Sequence, residues 1–141
     1  MQLLVVRHAL AEEREIFVQT GKPDDMRPLT SKGKSKMRKN AQGIVKLVPH
    51  INVLATSPLV RAMQTSEILL KEYLNTPQET LAALSPRGAK QAVLTWLQAQ
   101  PTQNVIALIG HEPDLGELVS WFLSLKIYQC FPLNCHTPRL L

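Results

Sequence analysis

The sequence predicts an α/β domain, a three-layer α/β/α arrangement around a mainly parallel central sheet. Two patterns carry this expectation. Short apolar runs of strand length alternate with segments whose apolar residues recur at helical spacing. Residue types capable of chemistry follow those short runs directly, as they do in sheets that gather function at the carboxyl ends of their strands. Alternating strands and helices imply parallel pairing with helices on both faces.

Residues 3–6 (LLVV) form a continuous apolar run suited to a buried strand. Residues 9–29 contain Gly21, Pro23 and Pro28 and read as a long excursion, a kind of segment that often carries function. Thr30 or Ser31 can cap the next helix, whose inward positions are Met37, Ala41, Ile44, Val45 and Val48, with Pro49 ending it. Residues 53–55 read as a second strand. Ser57-Pro58 then opens a helix with serine as cap and proline in the first turn. Its inward stripe is Ala62, Thr65, Ile68, Leu69 and Tyr73. Residues 81–84 suggest a minor strand. Ser85-Pro86 repeats the cap-and-proline start for a helix facing inward through Val93, Trp96 and Leu97. Residues 105–109 (VIALI) are the clearest strand and are broken by Gly110. Pro113 opens a last helix through about residue 125, with Leu115, Leu118, Val119 and Phe122 inward.

A chain of 141 residues makes about one domain and buries roughly two-thirds of its unfolded surface. With 45% hydrophobic and 19% charged residues, the composition excludes a disordered chain. Two cysteines exclude a disulfide scaffold. No apolar run reaches the ~18 residues of a membrane span, so no membrane partner is expected. Arg7-His8 interrupts the apolar opening segment, and no basic residue precedes it, which makes a poor signal peptide; a cytoplasmic setting with reduced thiols is expected. The domain expectation is one catalytic core over 1–123 and a divergent tail over 124–141.

The formal charge of +5 suits an anionic partner (phosphate, a phosphoprotein or nucleic acid) without choosing among them. Lys32, Lys34, Lys36, Arg38 and Lys39 form either a solvated helix face with its entry loop or a docking surface for an acidic protein. Nucleic acid is disfavoured because no aromatics interleave these cations.

Arg7-His8 follows the first strand, Ser57-Pro58-Leu59-Val60-Arg61 the second, and Gly110-His111-Glu112-Pro113 the clearest later one. Parallel neighbours would bring two arginines and two histidines to one rim. That set suits a dianionic phosphoryl group. Guanidinium forks donate paired hydrogen bonds to phosphate oxygens. A neutral imidazole attacks phosphorus, and fixed positive charge stabilises the equatorial oxygens in the transition state. No carboxylate cluster of the kind magnesium prefers is present, and Cys130, Cys135 and His136 have spacing too irregular to argue for zinc.

Arg7-His8-Ala9 resembles the RHG/RHA signature of the histidine phosphatase superfamily, with its phosphoglycerate-mutase-like fold. The segment from Ser57 to Thr65 resembles that family's SPxxRAxQT motif, and Gly110-His111-Glu112-Pro113 its third. Arg27-Pro28-Leu29-Thr30 with Gly33, and Leu84-Ser85-Pro86-Arg87-Gly88, resemble the small SixA branch of phosphohistidine phosphatases. The resemblance covers residues 1–123. It implies that His8 is a nucleophile that is transiently phosphorylated, that Arg7 and Arg61 clamp the phosphoryl oxygens, and that His111 donates to the same group. It implies no metal and no organic cofactor. Arg27 either meets the substrate beside the pocket or caps or packs the following helix. The implied partner is a protein phosphohistidine, such as that of a histidine-containing phosphotransfer domain.

The general acid of larger relatives has no clear counterpart. Ala83 stands where SixA-like sequences carry a glutamate, leaving Glu12, Glu79 and Glu112 as substitutes. A P–N bond breaks readily once the leaving imidazole is protonated, so this gap suits phosphohistidine. The tail has two prolines, two cysteines and no glycine over 124–141, unlike the strands that complete the sheet in SixA-like chains. The C-terminal strands are therefore expected to be missing or altered. A small phosphomonoesterase of the same superfamily and a non-hydrolytic phosphoprotein-binding module are the alternatives.

Overall fold

A computed structural model describes residues 1–129 and 139–140 of the chain. Strand β1 (Gln2–Arg7) leads into the excursion. That stretch contains a short helix α1 (Arg14–Phe17), single 3-10 turns at Val18–Thr20 and Asp24–Met26, and an antiparallel bridge between Ala11 and Leu29. Helix α2 (Ser31–Leu47), β2 (Val53–Thr56), α3 (Val60–Leu70) and β3 (Gln78–Thr80) follow, then α4 (Lys90–Gln98), β4 (Val105–Gly110), α5 (Asp114–Gln129) and β5 (Arg139–Leu140).

The sheet order is β3-β2-β4-β1-β5, and every pair is parallel. Alternation along the strands separates two cores. Leu4, Leu54, Ala107 and Ile109 pack with Met37, Ala41, Ala62 and Leu69 of α2 and α3. Leu3, Val53, Ile106 and Leu108 pack with Val93, Leu97, Leu115 and Leu118 of α4 and α5. Helices on both faces thus give the expected three layers. Central Leu108 is fully buried, so its truncation to alanine costs about 2–5 kcal/mol.

Thr30 caps α2 as expected, its side chain accepting from the Gly33 amide at 2.9 Å. Gly33 is also a close approach: a Cβ there would stand 2.1 Å from the Leu10 carbonyl oxygen. The stripe of α3 is buried at each expected position, including Tyr73, whose hydroxyl donates to the Val48 carbonyl at 2.6 Å.

Four expectations need correction. Helix α3 starts at Val60 with Leu59 as its cap residue, because the Ser57 hydroxyl accepts from the Leu59 amide and holds a turn ahead of the helix. The minor strand is Gln78–Thr80, paired with β2. Residues 82–84 instead form a 3-10 turn that drops Leu84 into the core. Helix α4 starts at Lys90 and not at Pro86, because Arg87 adopts φ 61° and Gly88 lies so near Ala83 that a Cβ would meet its carbonyl oxygen at 2.0 Å. Helix α5 also runs past residue 125 to Gln129. The expectations for the tail, and those for Cys130, Cys135 and His136, fall largely or wholly outside the described residues.

Candidate active site

The site is set by register. Arg7 pairs with Gly110, and Thr56 with Ile109, so β1, β2 and β4 end level with one another. The His8 amide donates to the Gly110 carbonyl and the Ser57 amide to the Ile109 carbonyl, each at 3.0 Å. The residues following the three strands therefore meet at one rim. Arg7, His8, Arg61 and His111 line a single open basin of about 980 Å3, and Arg27 lines it too. The structure thus brings together all five residues singled out from the sequence.

The two imidazoles are neighbours, with ring centroids 5.0 Å apart and planes tilted by 54°. Nδ1 of His8 lies 2.7 Å from the Ala9 carbonyl oxygen. A carbonyl only accepts, so Nδ1 carries the hydrogen and the neutral ring keeps a lone pair on Nε2. The Ala9 amide donates to Thr65 Oγ1, whose hydroxyl donates to the Arg61 carbonyl at 2.7 Å. Thr65 thereby ties the backbone beside His8 to the helix turn that carries Arg61.

His111 is 3% exposed, and its Nε2 lies 2.8 Å from Ser57 Oγ. Its Nδ1 is buried without a hydrogen-bond partner among the described residues, as is Nε of Arg61. Two unpaired polar atoms on residues lining one basin are costly and are donors that a bound anion would satisfy.

Asp24, which sequence reasoning missed, organises the cations. Its carboxylate pairs with Arg27 Nε at 2.7 Å, Arg61 Nη2 at 3.3 Å and Arg14 Nε at 3.3 Å. Burial alone would raise its pKa, but the Arg27 hydrogen bond and the charges of Arg61, Arg27 and Arg14 outweigh that and hold it below the usual value. Arg27 also donates to the Glu12 carbonyl at 2.6 Å. Arg27 thus braces the excursion itself, with no hydrogen bond or ion pair to the following helix among the described residues, and it lines the basin. Arg7 makes no side-chain hydrogen bond or ion pair among the described residues and is exposed at the rim. Gln64, between the motif's arginine and threonine, accepts from the Leu29 amide at 2.8 Å and fastens the excursion to α3.

Both histidines are pushed toward the neutral form. Burial lowers the pKa of His8, and the charges of Arg61, Arg7 and Arg27 lower it further against the opposing Ala9 hydrogen bond. Burial, Arg61 and His8 bring His111 down to about 4. At neutral pH the basin holds neutral imidazoles beside fixed guanidinium charge.

Of the candidate acids, Glu12 and Glu112 line the basin, whereas Glu79 accepts from Trp96 Nε1 at 2.8 Å and does not line it. None of the basic residues over 32–39 lines it either; Lys32, Lys36, Arg38 and Lys39 lie exposed on α2. Among the described residues no group of three or more His, Cys, Asp or Glu is placed to hold a metal, and no helix is long and apolar enough to cross a membrane.

Comparison with known proteins extends this picture. A model of the histidine phosphatase superfamily (branch 1) matches residues 3–88. An uncharacterized protein of a Picosynechococcus strain is 39% identical over 120 residues, 83% of this chain and 70% of that protein. The phosphohistidine phosphatase SixA of Escherichia coli (strain K12) is 32% identical over 124 residues, 85% of this chain and 73% of its own. A structure of the protein histidine phosphatase SixA complexed with tungstate superposes with a TM-score of 0.75 at 30% identity, covering 85% of this chain and 75% of that one.

Proposed function

The chain belongs to the histidine phosphatase superfamily, and from that membership and the basin we propose that it is a phosphohistidine phosphatase acting on proteins. The observation that carries the reading is the His8 ring. Its Nδ1–H is held by the Ala9 carbonyl, which leaves the lone pair on Nε2, and the ring lines a basin rich in arginine.

In this account the phosphoryl group lies between Arg7, Arg61 and His111. Arg61 Nε and His111 Nδ1, both unpaired, donate to its oxygens. Ser57 already accepts from the Leu59 amide, so its hydroxyl hydrogen is free to go to His111 Nε2. That leaves the hydrogen of His111 on Nδ1, where a phosphoryl oxygen can accept it. Nε2 of His8 attacks phosphorus while the P–N bond to the substrate imidazole breaks, the leaving nitrogen taking its proton from solvent. Water then attacks phosphorus on His8, releasing phosphate and restoring the free ring. The guanidinium charges stabilise the oxygens throughout without reorganising. No metal or organic cofactor takes part. Tungstate, a tetrahedral oxyanion bound by the SixA relative, would occupy the same place here and compete with substrate.

Residues 1–123 supply all of these groups and are proposed as the catalytic core; the boundary with residues 124–141 falls inside α5, and β5 returns to the sheet beside β1. The substrate assignment is tested by phosphate release from a phosphohistidine protein in EDTA, beside release from a sugar phosphate. Rapid release from the protein alone is expected. Rapid release from the sugar phosphate alone would overturn the substrate and point to Glu12 or Glu112, which line the basin, as the acid of a phosphomonoesterase.

A further inference from the structure

Seven large hydrophobic side chains are prominently exposed among the described residues, and four of them, Leu10, Ile16, Val18 and Met26, fall in the excursion that walls one side of the basin. Single exposed hydrophobics are ordinary, but Leu10 lines the basin and Val18 the depression beside it, and apolar surface at a site suits a macromolecule. Beside the basin lies a second depression of about 550 Å3, and Arg14, Pro86 and Arg87 line both. Phe17, Val18 and Leu59 give the second depression apolar walls, and Lys22 joins Arg14 and Arg87 as its cations. Its acidic residues are Asp24, whose carboxylate is engaged by three arginines, and the exposed Asp25. Among the described residues neither Lys22 nor the Arg87 guanidinium has an ion-pair partner.

We propose that this groove binds the polypeptide flanking the phosphohistidine and selects flanks that carry carboxylates. The proposal rests on the phosphohistidine reading above and adds a specificity site to it. A small phosphorylated metabolite would fill the basin and leave the groove empty. A chain entering over Arg14 and Arg87 lays its apolar stems on Phe17, Val18 and Leu59 while its acidic groups meet Lys22 and Arg87. The phosphoryl group itself is held by other residues, so the groove governs which proteins are accepted rather than the bond-breaking step.

The test uses two phosphohistidine peptides of equal length, one with aspartates and one with lysines at the two positions on each side, together with free phosphohistidine. The reading is the ratio of kcat/KM for the two peptides, which is insensitive to a loss of folded enzyme. Wild type should favour the aspartate peptide by at least about threefold, the scale of one or two exposed ion pairs, and added salt should shrink the ratio toward one. The double variant Lys22→Glu, Arg87→Glu should invert it. A wild-type ratio near one, or a preference that persists in the double variant, overturns the groove assignment while leaving the phosphatase reading intact. Failure to hydrolyse any of the three compounds overturns the phosphohistidine reading itself.

Discussion

Asp24 grips Arg61 twice: its Oδ2 stands 3.3 Å from Nη2, and its backbone carbonyl accepts from Nη1 at 3.0 Å. Arg61 is 2% exposed, so a residue of an irregular excursion fixes the orientation of a buried cation. Asp24→Ala removes the carboxylate and leaves Arg61 partly unpaired, at a cost of about 2 kcal/mol for a hydrogen bond to a charged group. The urea midpoint should fall accordingly, and kcat/KM on a phosphohistidine protein should fall about tenfold or more. Asp24→Asn keeps an acceptor oxygen and should lose less. Equal losses in the two variants would show that the fork is not oriented this way.

The depressed histidine pKa values predict how activity and stability follow pH. In the unfolded chain each imidazole protonates near 6.5; in the folded chain burial and the neighbouring arginines delay this, for His111 to about 4. Between those values the unfolded state binds more protons, so stability falls as pH drops from 6.5 to about 4. For His111 alone the full loss is on the order of 3 kcal/mol. His111→Gln should flatten this dependence in urea titrations run from pH 7 to 4.5. The acid limb of kcat/KM, which reports the free enzyme, should lie below 6.5. A limb at or above that value would contradict a neutral His8.

Two glycines of one helix should respond oppositely to alanine. At Gly33 a Cβ would stand 2.1 Å from the Leu10 carbonyl oxygen, while at Gly43 nothing lies within 4 Å. Gly43→Ala should stabilise by up to about 1 kcal/mol through helix propensity. Gly33→Ala should destabilise by about 1–3 kcal/mol by pushing Leu10 and the excursion away from α2. Thermal melts of the two variants distinguish the effects, and a stabilising Gly33→Ala would show that the excursion is not seated on this helix.

The pocket was legible where chemistry follows directly on a strand. Arg7, His8 and His111 come after apolar runs whose length and content mark them as strands, and parallel pairing then forces convergence. Arg61 was legible because it lies in the segment that follows the second strand. Asp24 was not, since its pairing with Arg61 is a tertiary contact and its local pairing with Arg27, three residues on, lies in a stretch (9–29) without periodicity. Thr65 was read as a core position, but its hydroxyl also connects the Ala9 amide to Arg61. The starts of α3 and α4 were misplaced for one reason. In both Ser-Pro segments the serine and proline shape a turn ahead of the helix, and at Ser57 that turn frees the hydroxyl for His111.

The account depends most on His8 Nε2 taking the phosphoryl group. Rapid acid-free quenching of the enzyme with a radiolabelled phosphohistidine protein, followed by peptide mapping, measures this directly. Transient label on His8 is predicted, with none on His111, and phosphate release should fall at least about a thousand-fold in His8→Ala, as for loss of a nucleophile. Label on another residue, or undiminished release from folded His8→Ala protein, would contradict it.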